Sequence, residues 1–273
     1  MQQTLASIGI NIDWSFSLTV GGLIMTRLVL MVATMPFLVG KPVPAQVKMG
    51  LILALLLFLY PYLAPENKAA LPREPLTLFM LFLKEAGIGL TIGMAAAIVF
   101  HGFQAAGSVV DNQRGAAQAR LLIPSLGEQA SIFGNFEYQL GLVVFLCLDG
   151  HVMFLKAIID SYDYLPLLSF PAGRTDMIDM VGFFIQLTGQ VLLLSVQLAA
   201  PVLISIFIAD MVLGIVSKTA PSVNVWELSF AVKGVVGVLV VFLSIGLIVT
   251  QMEKLSLGMV TDVTRLLRLI ATP

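Results

Sequence analysis

The sequence predicts an all-α integral membrane protein of about six hydrophobic helical segments, arranged as long, kinked hairpins. Three observations predict it. Hydrophobic residues fill 58% of the 273 positions and charged residues only 11%, against about 25% charged in soluble domains. The mean hydropathy is +0.98. Six apolar stretches approach or exceed the length, about 20 residues, that a helix needs to cross a bilayer. Helices close their own backbone hydrogen bonds, so such stretches are helical in lipid.

In chain order the segments are Ser15–Val39, Val47–Leu63, Leu76–Ala106, Ile132–Ile159, Met177–Val216 and Leu228–Met252, within one domain spanning 1–273. The first has no basic flank in Met1–Trp14 and exceeds a signal-peptide core, so it is expected to stay in the mature protein. The third and fifth are over-long: at 1.5 Å per residue they run roughly 45 and 60 Å, against a hydrocarbon core of about 30 Å. Pro201 offers a kink or a break in the fifth. The spacings Gly89-x-x-x-Gly93-x-x-x-Ala97 and Gly234-x-x-Gly237 suit close helix approach.

The connectors read as turns: Gly40-Lys41-Pro42-Val43-Pro44, Pro61–Pro75, Pro166–Asp179 and Ala220-Pro221-Ser222. The tail Glu253–Pro273 is amphipathic. Leu255, Val263, Leu266, Leu267 and Ile270 alternate with Asp262, Arg265 and Arg268, which suits an interface or a partner. Lys41 and Lys48 place the first loop in the cytoplasm. Simple alternation then carries Arg265 and Arg268 to the far side, against the charge rule. That conflict argues against a conventionally threaded bundle. Cys147, in an apolar run, reads as a small buried hydrophobe.

Five ionisable residues lie inside apolar segments: Arg27, Lys84, Glu85, Asp210 and Lys233. Such residues are costly in a membrane and mark functional sites or interhelical ion pairs; the structural reading is preferred. Lys84 and Glu85 are sequence neighbours on different helix faces, so each is expected to find its partner elsewhere. Asp210 and Lys233 lie at matching distances from the Ala220-Pro221-Ser222 turn. A hairpin there brings them to one depth, where they pair.

The most polar run is Asp111-Asn112-Gln113-Arg114-Gly115, followed by Gln118 and Arg120. It is open to three readings: a solvated loop, a re-entrant loop lining an aqueous cavity, or a contact to another subunit. Its apolar flanks, Val109-Val110 before and Leu121-Leu122-Ile123 after, favour enclosure by protein. No P-loop, dinucleotide fingerprint, Gly-x-Ser-x-Gly or His-Glu-x-x-His pattern is present. No catalytic residues, bound metal or cofactor are expected. A net charge of −1 gives no field for nucleic acid.

Arg27 followed by Pro36-Phe37-Leu38-Val39-Gly40 and Pro44-x-x-Val47-Lys48 resembles the N-terminal signature of the FliR/SctT family, export-gate components of bacterial type III secretion systems. Three further matches follow in order. They are Glu85 with Gly87, Gly89 and Gly93; Gly107-x-x-x-Asp111-x-Gln113-x-Gly115; and Asp210-x-x-x-Gly214 with Ala220-Pro221-x-x-Asn224-Val225. Together they cover Trp14 to about Met252.

The resemblance implies a non-enzymatic subunit of the bacterial inner membrane, within the basal body. It resembles a fusion of the two smaller gate subunits, the FliP/SctR and FliQ/SctS types, and assembles with several copies of each. A SctU/FlhB-type switch protein packs outside, and unfolded protein substrates pass through the pore. By position, Gly107–Pro124 is the pore plug. Asp111-Asn112-Gln113-Arg114-Gly115 resembles the virulence injectisome form more than the flagellar form, which stays as an alternative. Pro36, Pro44, Pro221 and Asn224 are expected to shape turns. A secondary transporter coupled through Lys84, Glu85 and Asp210 is the competing class. The absence of an internal repeat counts against it.

Overall fold

A computed structural model describes residues 14–36, 43–64, 71–72, 74–115, 131–170 and 177–271. Helices are the only regular elements among them. They are α1 (Trp14–Thr34), α2 (Ala45–Leu63), α3 (Pro75–Gln113), α4 (Ile132–Cys147), α5 (Gly150–Tyr164), α6 (Met177–Thr219) and α7 (Val225–Ala271). Five are long and apolar enough to cross a membrane, and α4 with α5 would make a sixth, broken span. The chain is an all-α integral membrane protein.

Local chemistry sets the ends. Pro75 opens α3, where a missing N–H costs nothing. Pro44 precedes α2 at φ −59°. Ser131 caps α4, its side chain accepting from the Gly134 N–H. Residues 220–224 form the turn between α6 and α7, closed by Val223 N–H to Ala220 O at 3.1 Å, and Asn224 O accepts from Leu228 N–H to start α7.

Four expectations are corrected. The fourth segment is not one helix: it breaks at Leu148-Asp149, where Asp149 takes φ 56°, a left-handed conformation that aspartate tolerates. The fifth does not break at Pro201; α6 runs through it. The amphipathic tail is the end of α7 rather than a separate surface element. Its apolar residues Val263, Leu266, Leu267 and Ile270 are buried, and Arg265 and Arg268 are exposed. Cys147 is exposed, not buried.

Contacts divide the chain into two compact units. The first comprises the described residues of Met1–Ala97, Met153–Gly182 and Asp262–Pro273. Here α1 packs on α2, and Leu23, Ile24, Leu28 and Met31 are fully buried. The Gly89 and Gly93 spacing is used as expected. A Cβ at Gly89 would sit 2.5 Å from Arg27 O, and one at Gly93 would strike Thr34 Oγ1. On α2, Leu57 and Phe58 stay exposed, as a lipid-facing surface requires.

The second unit comprises Ile98–Val152 and Phe183–Thr261. Its core joins Val110 of α3 to Ala199, Val202 and Ile206 of α6 and Val241 of α7. Phe100 stacks edge-on against Phe103, Tyr138 and Phe145. Ser195 Oγ donates to Gly102 O at 2.8 Å, tying α6 to α3. Ile204, Phe207, Ile208, Met211, Phe242 and Leu243 of the α6–α7 hairpin remain exposed. So much apolar surface is stable only against lipid or other subunits.

Candidate functional site

The polar run is not a loop throughout. Gly107 to Gln113 complete the last turns of α3. Gly107 faces the backbone of Phe133 and Gly134 so closely that a Cβ would collide with it. Asp111 is buried, its Oδ2 accepting from Ser131 Oγ at 2.5 Å and Phe133 N–H at 2.9 Å. Asp111 and Ser131 thus share the capping of α4, with the carboxylate at the positive end of the helix. Asn112 and Gln113 are exposed. Arg114 lies just past the helix, 3.6 Å from Asp111 Oδ1, and Gly115 turns the chain at φ 88°. Gln118, Arg120 and the rest of the expected plug through Pro124 lie outside the described residues. Of the expected plug, residues 107–113 are thus helical, the end of α3.

The five ionisable residues of the apolar segments form two sites, one in each unit. In the first, Arg27 is fully buried. Its Nε donates to Glu85 Oε2 at 2.5 Å, its Nη1 to Ser161 O at 3.0 Å, and its Nη2 to Leu165 O at 2.8 Å. Nη1 also reaches Ser161 Oγ at 3.1 Å, and the guanidinium lies 4.1 Å from the Tyr162 ring centroid. Lys84 Nζ donates to the carbonyls of Pro166, Leu167 and Ser169 at 2.8, 2.8 and 3.0 Å. Two cations from α1 and α3 thus bind carbonyls at and just beyond the C-terminal end of α5, a favourable place for positive charge. One expectation is overturned: Lys84 Nζ also lies 2.8 Å from Glu85 Oε1. The rule of separate faces describes Cβ directions, and the four-carbon lysine stem curls back across it. That contact is one of charge only, because the three N–H groups of Lys84 are directed at carbonyls.

In the second site, Lys233 Nζ is 2.7 Å from Asp210 Oδ1, so the pair inferred from the turn position forms across the α6–α7 hairpin. Asp210 is 44% exposed on its side chain, so the bond is a weak clip in a wet setting and a stronger one against lipid. Asp210→Lys combined with Lys233→Asp is expected to restore hairpin protection in cysteine-accessibility mapping that either single change loses. No recovery in the double variant would refute an energetic role for the pair.

Sequence reasoning missed Glu137. It is 1% exposed, and neither carboxylate oxygen has a partner among the described residues. Its signal was present: an acid six positions into the apolar run Ile132–Cys147. His101 is exposed beside Gln104. Among the described residues, no three of His, Cys, Asp and Glu gather as a metal site. Arg27, Glu85, Asp111 and Ser195 join helices; Glu137 does not. Pro36 is buried at the end of α1, while Pro44, Pro221 and Asn224 border helices as described above.

Residues 18–259 match the family described as "Bacterial export proteins, family 1". The chain is 38% identical over 188 residues to the Yop proteins translocation protein T of Yersinia pestis, covering 68% of this chain and 70% of that one. It is 32% identical over 165 residues to the Surface presentation of antigens protein SpaR of Shigella flexneri, covering 60% and 62%. The Flagellar biosynthetic protein FliR of Caulobacter vibrioides is 26% identical over 231 residues, covering 85% and 90%.

Proposed function

The chain belongs to the family of bacterial export proteins, family 1, and on that footing we propose that it is a core subunit of a type III secretion export gate. In this role it supplies part of the wall and plug of a pore through which unfolded proteins cross the inner membrane. The family match over 242 residues (18–259) carries the reading. The exposed apolar hairpin α6–α7 supports it, since that surface suits companion hairpins of FliP/SctR and FliQ/SctS type in the basal body. A SctU/FlhB-type switch protein completes the set of partners. The chain itself works passively, with energy supplied by other components.

The virulence branch is favoured by the 38% identity to a Yop translocation protein. The flagellar relative of Caulobacter vibrioides matches over a longer span at lower identity, which keeps the flagellar branch as the second reading. The transporter alternative loses support from the geometry. Arg27, Lys84 and Glu85 are engaged with one another and with five carbonyls.

The test removes residues 116–120 and leaves the packed end of α3 intact. In the assembled complex, expressed without substrate, this deletion is expected to raise ion leakage severalfold. Wild-type conductance with normal assembly would overturn the plug assignment. Purification from the native operon should also yield a complex with several copies of two small hydrophobic proteins. A lone monomer that binds a small solute would overturn the gate reading itself.

A further inference from the structure

Glu137 is removed from water with nothing to answer its charge. It is 1% exposed, and neither carboxylate oxygen has a hydrogen-bond partner among the described residues. Its neighbours on α4 fix where it lies. Gly134, one turn before it, rests on α3: a Cβ there would fall 2.8 Å from Ser108 Oγ and 2.9 Å from Gln104 O. Gly141, one turn after it, rests on the Phe103 ring. Glu137 therefore lies on the stripe that α4 presents to α3, between two close contacts.

The charged groups around this seam are engaged elsewhere. On α3, Asp111 faces Glu137 with a charge of the same sign. Asp111 has its own partners in Ser131 Oγ, the Phe133 N–H and Arg114. Arg114 gives Nη2 to Gly234 O and lies over the Phe133 ring, and none of its donors reaches Glu137. His101 is exposed and turned to Gln104, its ring 6.5 Å from that of Tyr138. On α6 and α7, Asp210 and Lys233 hold each other, and the residues packed against Phe133 are apolar. His151 lies beyond the Asp149 elbow, about 15 Å of helix away at 1.5 Å per residue.

A carboxyl in such a place is stable when paired or when neutral. No cation pairs with it, and a neighbour of like sign makes a second negative charge more costly. We propose that Glu137 is a proton-binding site: its carboxyl keeps a proton while α3 and α4 are packed, and gives it to water when the seam opens. The O–H bond breaks, the proton passes to water, and the hydrated carboxylate stays behind. Opening of the seam and release of one proton are then a single event. The two acids divide the work at this seam: Asp111 caps α4 with its charge, and Glu137 closes the interface without one. The site follows from the packing of this chain alone and stands or falls apart from the export-pore reading.

Glu137→Gln supplies the test, since the amide has the shape of the neutral carboxyl. In the assembled complex near neutral pH, the infrared spectrum of the wild type should contain one protonated-carboxyl C=O band that Glu137→Gln lacks. A wild-type spectrum with no such extra band overturns the proposal. The second readout is thermal stability against pH. The closed form binds one proton more than the open form, so its stability falls as pH rises above about 4.3, the ordinary glutamate value, until Glu137 ionises in the closed form too. Melting temperatures of wild type should therefore drop below those of Glu137→Gln by several degrees as pH is raised; parallel curves overturn the coupling of seam and proton. Glu137→Met guards against a folding defect in the first variant, because a group without partners loses no hydrogen bond when an apolar one replaces it. At least one of the two should assemble to wild-type yield. Failure of both would show that the site needs a charged carboxylate, which overturns the proposal.

Discussion

Glu85→Ala is expected to abolish accumulation of the folded subunit, and to do so more severely than Arg27→Ala or Lys84→Ala. The wild-type site holds two cations around one carboxylate, with Arg27 and Glu85 fully buried. Breaking a buried pair by removing one partner costs about 3–5 kcal/mol, because the survivor stays desolvated and unpaired. Removal of Glu85 leaves two such survivors facing each other. Removal of Arg27 leaves Glu85 still beside Lys84, but abandons the Ser161 and Leu165 carbonyls. Removal of Lys84 is mildest, since Arg27 still neutralises the fully buried Glu85. Against a total stability of about 5–15 kcal/mol, the first change exhausts most of the margin. Membrane-fraction yield and thermal denaturation in detergent should follow the order Glu85→Ala, then Arg27→Ala, then Lys84→Ala. An equal or inverted order would show that the carboxylate does not organise the site.

Gly89→Ala is expected to be the next most damaging single change, and a single methyl group produces it. The added Cβ would lie 2.5 Å from Arg27 O and 3.2 Å from Arg27 C and Cα, all backbone of α1. No rotamer change relieves a backbone collision, so α1 and α3 must separate. Separation also stretches the Arg27–Glu85 bond carried by the same two helices. Gly93→Ala meets Thr34 first at its side chain, which can move. Gly87→Ala meets nothing within 4 Å and gains helix propensity of about 1 kcal/mol. Melting temperatures of the purified complex should rank Gly87→Ala at or above wild type, Gly93→Ala below it and Gly89→Ala lowest. A Gly89→Ala protein as stable as Gly87→Ala would refute the close approach.

The helices were legible because run length and composition are one-dimensional quantities, and the bilayer sets the length scale. The Asp210–Lys233 pair was legible for a similar reason: a proline turn fixes a mirror point, and depth follows by counting. The partners of Arg27 were not. Apart from Glu85 and the Ser161 hydroxyl they are main-chain carbonyls at 161 and 165, a group that every residue carries and no sequence marks. The break at Asp149 carried a signal, the turn-forming pair Asp149-Gly150, which the apolar stretches on either side outweighed when they were read as one span. The polar run misled for a different reason. Asp111 was counted with its polar neighbours as pore lining, although its side chain is spent on capping the next helix. Glu137 went unread because one acid near the start of an apolar segment resembles an ordinary helix end.

The burial of Val263, Leu266, Leu267 and Ile270 has a consequence for the order of events in synthesis. These residues belong to the same compact unit as α1, α2 and the first part of α3. Translation proceeds at about 5–20 residues per second, so roughly 9–35 seconds separate residue 97 from residue 273. Throughout that interval the early helices wait in the membrane without part of their core. The first unit to be started is therefore among the last to be finished, and the cell must shelter it until the chain returns to close it.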